Sequence, residues 1–568
     1  MSKSKSAVAG VQYDENRAYL KQLVFFFIFI TIFVSAGFFG KGIYYGHDSN
    51  FHLIRIESVA LSIEAGDFLA PIHYFYMDGY GYGTGLFYSN MFVYFPALLR
   101  VIGLDLTDAF RVTMVVVTFL TLCTMYYFVK TFTKSRSTAL ISAVLYALSS
   151  YRLTDLYIRT AYGELFAFIF LPIIFAGAWL IIFGESKKWY VLAIGMLGVL
   201  FSHLLTFVVC VCMLIPLFAA YFKRVFLDKE RRKGFLSAVL CTVALSAGFV
   251  LPMLEQFRSE RFVVSGSIEE HALYPVQLFF NNMTYGNSNP LSMGIKGEMT
   301  VSLGFLLISV PFLLLFFMNK DDDMKQTVRF GKISLALGWA FALATTTLFP
   351  WEYFKNALAF FQFPWRLLLF ATFFLALSGG IAVLSILKEK KERIFALVII
   401  TALALIFTIQ PIEAYTTQFE HVWTRDTLHV FNLGGNEYLP EGTRHTEYER
   451  RGNIITLPGG DIAGYTGERK GRYYRFTPDH SGKPDYVELP LLYYLGYKAY
   501  AADENGRRIS LPVSKGTNSI VRVDLENYGR DEIRVIYEGT LIFKLSKAFS
   551  ILAFICVLCR KRIYSRWA

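Results

Sequence analysis

A carboxylate, two imidazoles and a guanidinium fall within the run His47-Asp48-Ser49-Asn50-Phe51-His52-Leu53-Ile54-Arg55. A carboxylate can take a proton from a hydroxyl, and a neighbouring histidine can orient or tune it. An arginine can hold a phosphate through parallel N–H donors. The plainer use of Asp48 or Asn50 is to cap the helix that follows. A second group, Asp155, Arg159 and Glu164, mixes the same chemistry. Asp155 and Arg159 stand four apart, the spacing of an ordinary helical ion pair. Glu164 heads a long apolar run, where an ionisable group needs a partner or a task. His203 lies alone between two apolar stretches, where a structural role competes with a ligating one. Gln362 and Arg366 flank Phe363-Pro364-Trp365, where an aromatic belt and a snorkelling arginine are the alternatives to phosphate binding. Together these residue types suit a lipid-linked phosphate substrate. His52, Arg55, Asp155, Arg159, Glu164, His203, Gln362 and Arg366 would bind such a substrate, its phosphate on the cations, and a carboxylate could abstract a proton.

Membrane helices must position these groups. Of the 568 residues 54% are hydrophobic and 18% charged, against about 25% charged in soluble proteins, so a purely soluble enzyme is a poor reading. The net charge of +12 does not call for nucleic acid, because basic loops between spans carry the same sign. The six cysteines all sit in apolar runs, with no metal or disulfide spacing. A span takes roughly 20 apolar residues. Twelve are expected, near 22–39, 110–129, 137–150, 165–183, 189–202, 204–222, 234–254, 301–318, 333–349, 367–387, 394–410 and 542–559.

Charge orders these spans. With the N-terminus inside, the segments 1–21, 130–136, 184–188, 223–233, 319–332, 388–393 and 560–568 hold 27 of the 56 Lys and Arg residues, and all fall on one side. Reading 189–222 as one helix would split the basic loops between two faces, so a hairpin turning at Ser202-His203 is expected. Counting 86–103 as a span would do the same, and it is expected to be an interfacial or re-entrant helix. The segment from Phe51 is expected to be an amphipathic helix on the outer surface, with Phe51, Ile54, Ser58 and Leu61 on one face. Three glycines in Tyr80-Gly81-Tyr82-Gly83-Thr84-Gly85 lack the strand and spacing of a dinucleotide fingerprint. They fit a close backbone approach to a head group or a tight turn.

The expected organisation is an all-α polytopic membrane protein with an extracytoplasmic β-sandwich-like domain before the last span. Residues 1–21 form a cytoplasmic N-terminus and 22–411 a transmembrane domain whose outer loop 40–109 carries interfacial helices. Residues 412–541 form the β-rich domain, read from alternating Tyr, Val and Ile runs and from turns such as Asn505-Gly506. Residues 542–568 give the last helix and a basic cytoplasmic tail. The localisation implied is the plasma membrane, multi-pass, with both termini cytoplasmic.

Several runs carry a resemblance. They are GHDSNFHLIRIESVALSIEAGDF (46–68), GYGTGLFYSN (81–90), YIRTAYGELFAFIFLP (157–172), SHLLTF (202–207), FQFPWRLL (361–368) and NEYLP (436–440). In order and spacing the chain resembles bacterial multi-spanning proteins described as membrane protein, 6-pyruvoyl-tetrahydropterin synthase-related. These are similar in turn to YfhO-type membrane glycosyltransferases of the GT-C superfamily. Pterin chemistry itself is not implied, because the nine histidines form no three-histidine cluster on one element. The GT-C resemblance implies an acidic residue in the first outer loop, matching Asp48, and horizontal helices, matching 51–66 and 86–103. It implies a polyprenyl-phosphate sugar donor and an inverting transfer with Asp48 as base, tuned or oriented by His47. Some relatives use a divalent cation such as Mg or Mn, which Asp48, Asp155 and Glu164 could hold here; no other cofactor is implied. The acceptor would be a cell-wall polymer, a glycolipid or a protein. Where other GT-C branches carry an acidic pair, this chain has His47-Asp48. Two competing readings are a transporter or flippase for lipid-linked saccharides and a non-catalytic polysaccharide-binding assembly protein. Asp and Glu are absent from the middle of every expected span, which weakens an ion-coupled carrier.

Overall fold

The computed structural model describes residues 2–40, 42–44, 46–263, 271–279, 301–316, 322–358, 361–418, 422–423, 427–478, 484–502, 507–525 and 532–567. The expected Asn505-Gly506 turn and part of the outer segment 255–300 lie outside them. The chain is mostly helical, with a small β-rich region near its C-terminal end. Among the described residues seven helices are long and apolar enough to cross a membrane: Asn16–Val34, Leu106–Thr133, Tyr162–Ile182, Lys229–Ser259, Pro364–Ile386, Lys390–Glu413 and Leu541–Cys559. The other five expected spans are helical but depart from that standard. Arg136–Ala147 has 12 residues, Tyr190–Ser202 has 13, Leu204–Ala220 has 17 and Phe305–Phe312 has 8. Asp322–Ala344 is long enough, but it opens on charged residues. A 12-residue helix rises only about 18 Å against a hydrocarbon core of about 30 Å. By length and composition, twelve spans therefore become seven. The expected turn at Ser202-His203 is found, where His203 takes extended φ and ψ of −150° and 100° and separates two helices.

The contacts divide the chain into two units. The first comprises Met1–His47, Arg111–Trp179 and Ser267–Val422. Its centre is the Leu368–Ile386 helix, buried along almost its whole length against the Asp322–Ala344, Arg136–Ala147 and Phe305–Phe312 helices. Lipid tails are as apolar as leucine, so helices in a membrane are held by close packing rather than by escape from water. Gly380 shows this, since a Cβ there would run into Ser142 Oγ and lie 3.0 Å from the Thr138 carbonyl. Ser135 caps the Arg136–Ala147 helix by accepting a hydrogen bond from the Thr138 N–H.

The second unit comprises Asp48–Phe110, Leu180–Gly266 and Trp423–Ala568. Its strands are β1 (Gly467–Lys470), β2 (Tyr473–Phe476), β3 (Tyr486–Leu492), β4 (Tyr497–Ala502), β5 (Arg508–Leu511), β6 (Val513–Lys515), β7 (Ile520–Asp524) and β8 (Ile533–Tyr537). They form a five-stranded sheet ordered β1-β2-β8-β4-β5 and a three-stranded sheet ordered β3-β7-β6. The strand pairings are antiparallel, with Ile533 opposite Phe476 and Tyr537 opposite Tyr497. In β3, Glu488 is buried and bonded to Arg522 at 2.7 Å and to the Thr517 N–H at 2.7 Å. Burial alone would raise its pKa, but those partners outweigh burial and hold it below the ordinary glutamate value. A depressed folded pKa contributes stability above the unfolded value and loses it as pH falls through the folded one. Melting temperature is therefore expected to fall as pH drops below about 4.3. Glu488→Gln should shallow that slope, and an identical slope in the variant would assign the acid sensitivity elsewhere.

The first outer loop departs from expectation within this unit. Helix Ser49–Glu64 forms, but most of its residues are buried, including His52, Arg55 and Glu57. It packs against the short Tyr94–Val101 helix, and Glu57 meets Arg100 at 3.0 Å. It is thus covered by protein on several faces rather than lying with one face in water. The expected interfacial segment 86–103 resolves into the Thr84–Phe87 turn and the Tyr94–Val101 helix, with Met91, Phe95, Leu98 and Ile102 exposed. The glycines of the Tyr80–Gly85 loop serve close packing within the protein. Gly81 has φ +83°, and a Cβ on Gly83 would lie 2.6 Å from the Tyr494 ring.

Candidate functional site

In the first unit the short helix Ser150–Thr154 runs into a π turn, Asp155–Arg159, that ends at Thr160 with φ +55°. The Ala161 N–H also bonds to the Asp155 carbonyl, at 2.9 Å. Such one-turn π segments are rare and collect at functional sites. The reversal starts the Tyr162–Ile182 helix with Glu164 in its first turn, so Arg159 and Glu164 meet although they are five residues apart. Arg159 donates to Asp155 Oδ1 at 2.5 Å and to Glu164 Oε1 at 2.8 Å. Tyr151 Oη donates to Glu164 Oε2 at 2.7 Å and accepts from Arg159 at 3.2 Å. Arg366 Nε lies 3.4 Å from Glu164 Oε1, the oxygen that also accepts from Arg159. Arg366 Nη1 donates to Gln362 Oε1 at 2.9 Å and to the Phe361 carbonyl at 3.1 Å. Gln362 adopts φ +60°, a left-handed backbone that a non-glycine residue takes only when its surroundings fix it.

Two carboxylates and two guanidiniums thus form one charge-balanced network. Burial lowers the pKa of Arg159, but Glu164 and Asp155 more than offset that and raise it, so it stays charged. Asp155, Arg159 and Glu164 are all buried, while the Arg366 side chain keeps 15% of its exposure and is the member with access to solvent or ligand. Arg152, fully buried beside this group, donates to the Ala147 carbonyl and to Thr118 Oγ1. Tyr151 and Arg152 were not among the sequence candidates. Tyr151 precedes Asp155 by four residues, which is the signal that could have found it.

The start of the 40–109 segment is tied to the same turn. The His47 N–H bonds the Ile158 carbonyl at 3.0 Å, and a Cβ on Gly46 would run into Thr160 Oγ1. Partial withdrawal of the His47 ring from water, and then the Arg159 charge, lower its pKa to about 4, so it is neutral at physiological pH. An apolar cavity flanks the π turn. Leu145, Leu148, Leu153, Ile158, Leu303 and Phe407 line it, with Thr154 and Gln410 among its few polar groups.

The second unit holds the remaining candidates. Asp48 precedes helix Ser49–Glu64, but its side chain makes no capping hydrogen bond to it. Asn50 instead exchanges hydrogen bonds with the backbone of His429. Arg55 is 1% exposed. It donates to the Tyr88 and Ser89 carbonyls at 3.1 and 3.0 Å and lies 4.0 Å over the Tyr88 ring. His52 is buried, and burial, then the Arg55 charge, keep it neutral. Arg55 and His52 therefore sit inside the unit, where they brace the Tyr88–Asn90 turn. His203 Nδ1 pairs with Thr206 Oγ1 at 2.7 Å, in the first turn of its own helix.

No group of three or more His, Cys, Asp or Glu side chains placed to hold a metal occurs among the described residues. Asp155 and Glu164 both direct oxygens to Arg159. These two carboxylates are thus engaged by a guanidinium and do not fit a divalent cation.

Residues 14–295 match the model of a family of unknown function, DUF6541. The match covers the loops bearing Asp48, Asp155, Arg159, Glu164 and His203 and stops before Gln362 and Arg366. The chain is also similar to a protein of Lactococcus lactis subsp. cremoris (strain MG1363) described as uncharacterized, with 24% identity over 97% of this chain and 96% of the relative. That alignment extends through the β-rich region. Neither comparison carries the pterin-synthase wording or a GT-C description.

Proposed function

We propose that this is a membrane glycosyltransferase of the GT-C type, moving a sugar from a polyprenyl-phosphate donor to a cell-envelope acceptor on the outer face of the plasma membrane. The observation that carries the reading is the Arg159–Glu164–Arg366 network, in which the partly exposed Arg366 is a guanidinium able to pair with an anionic lipid head. Arg366, the more exposed guanidinium, exchanges Glu164 for the donor phosphate. Arg159 stays locked between two carboxylates and holds the frame. Asp48, one peptide bond beyond His47, accepts the proton of the acceptor hydroxyl. The acceptor oxygen bonds the anomeric carbon as the bond from that carbon to phosphate oxygen breaks. Polyprenyl phosphate then leaves as an anion, with inversion at the sugar.

Counting the other five helices as crossing segments keeps the basic loops on one side, with both termini cytoplasmic and the β-rich region outside. In that arrangement the β-rich region is available to bind the acceptor. The test is incubation of purified protein with a panel of polyprenyl-phosphate sugars, with and without EDTA. Release of free polyprenyl phosphate with EDTA present is the expected result, and no release from any donor would remove the reading. Arg366→Ala should raise the apparent donor KM by roughly 10–100-fold, the loss of one charge-assisted phosphate contact. Lysine, lacking the planar fork, should rescue only in part. An unchanged KM would exclude Arg366 from the donor site. A carrier of lipid-linked saccharides, the competing reading, would release no polyprenyl phosphate.

A further inference from the structure

A second hollow, in the second unit, has no part in the reading above. Gly66, Asp67, Phe68, Leu69 and Pro71 form one wall, and Arg472, Tyr537, Glu538, Phe543 and Lys544 complete it. Its volume is about 360 Å³, at the lower end of the range of small-molecule sites. Its height relative to a bilayer follows from the chain. Strand β8 ends at Tyr537, and only Glu538, Gly539 and Thr540 separate it from the Leu541–Cys559 span. Lys544 is therefore in the first turn of a membrane-crossing helix. Around the hollow Phe68, Leu69, Leu541, Ile542 and Leu545 are all exposed. An apolar rim around charged groups is what a protein presents where head groups meet acyl chains.

The charges inside are sorted. Glu538 is shared by Lys544 and Arg508, each at 2.9 Å. Asp67 Oδ1 accepts the N–H groups of Leu69 and Ala70 at 3.3 and 3.4 Å. Arg472 makes no ion pair of its own among the described residues, although its charge acts on Asp67. The hollow thus offers cations that suit a phosphodiester, and Asp67, whose partial withdrawal from water raises its pKa, as acceptor for a hydrogen-bond donor.

We propose that this hollow binds the head group of a glycerophospholipid, its phosphate between Arg472 and Lys544 and a hydroxyl or ammonium of the head group on Asp67. Such a lipid pins the β-rich region to the bilayer surface at the entry of the last span.

The test uses the full chain purified in mild detergent, with melting temperature read on addition of short-chain lipids. Phosphatidylglycerol and phosphatidylethanolamine should raise it by several degrees, and phosphatidylcholine, whose head group has no donor, should raise it less. Arg472→Ala with Lys544→Ala should abolish the shift, and Lys498→Ala, an exposed cation on β4, should keep it. Asp67→Asn, which retains an acceptor and the fold, should narrow the preference over phosphatidylcholine. Equal stabilisation by inorganic phosphate or glycerophosphate would overturn the lipid assignment. A full lipid response in the Arg472/Lys544 double variant would overturn the site. Neither outcome depends on glycosyl transfer, so this proposal and the proposed activity stand or fall separately.

Discussion

Asp48→Asn is expected to slow release of polyprenyl phosphate by roughly 10²–10⁴-fold, the usual weight of a general base, while the protein still folds. The folding half follows from the structure. Asp48 is half-buried, and its carboxylate does not cap helix Ser49–Glu64. Asparagine has the same shape and is as good a residue at a helix start. The helix is instead held by its buried contacts and by Asn50 on the His429 backbone. The catalytic half rests on the chemistry assigned to the residue, since an amide cannot accept the acceptor's proton. Single-turnover release and melting temperature, measured on the same preparation, separate the two halves. A residual rate within tenfold of wild type, at unchanged melting temperature, would remove Asp48 as the base. His47, being neutral, would then be the next candidate to substitute.

Glu164→Ala should be the most damaging change to stability. Glu164 is 2% exposed. It receives Tyr151 Oη and Arg159 Nη2 and lies 3.4 Å from Arg366. Its removal leaves a buried guanidinium with one carboxylate instead of two, and a buried tyrosine hydroxyl without its acceptor. Breaking a buried ion pair from one side costs about 3–5 kcal/mol, a large share of the roughly 5–15 kcal/mol that holds a protein folded. Glu164→Gln keeps an acceptor and should lose less. The pairing itself is read from a double-mutant cycle of Glu164→Gln with Arg159→Gln, where a coupling of at least about 1 kcal/mol is expected. Additive losses would mean that the two side chains do not work as a pair. Because Arg366 shares the same glutamate oxygen, Glu164→Gln should also change the donor KM, which a purely structural residue would not do.

The two outer loops differ in how much of them is legible in sequence. The Asp155–Arg159 spacing reads as an ordinary helical ion pair, and the structure turns it into the core of a buried network. The cause is a π turn and the left-handed Thr160, which no periodicity announces. In the 48–64 segment the error runs the other way. A face of Phe51, Ile54, Ser58 and Leu61 suggests one dry side and one wet side. Yet His52, Arg55 and Glu57, on the supposed wet side, are covered by the Tyr88–Asn90 turn and by Arg100. Buried polar groups with partners read in sequence like exposed ones, because the pattern records side-chain type and not the partner. The glycines at 81 and 83 meet side chains of their own unit, Ile72, Tyr74 and Tyr494, and a linear reading cannot tell such an approach from one to a ligand.

Sequence by itself determined that this is a multi-pass helical membrane protein, that its chain turns at His203, and that a β-rich region precedes the last helix. Each rests on local composition or on charge between apolar runs, properties that a bilayer reads segment by segment. Only tertiary structure decided how many helices are long enough to cross. It also decided that Glu164 gathers Tyr151, Arg159 and Arg366, and that Arg55 faces inward. Those outcomes depend on partners far apart in the chain, and a buried charge is stable only where such partners meet it.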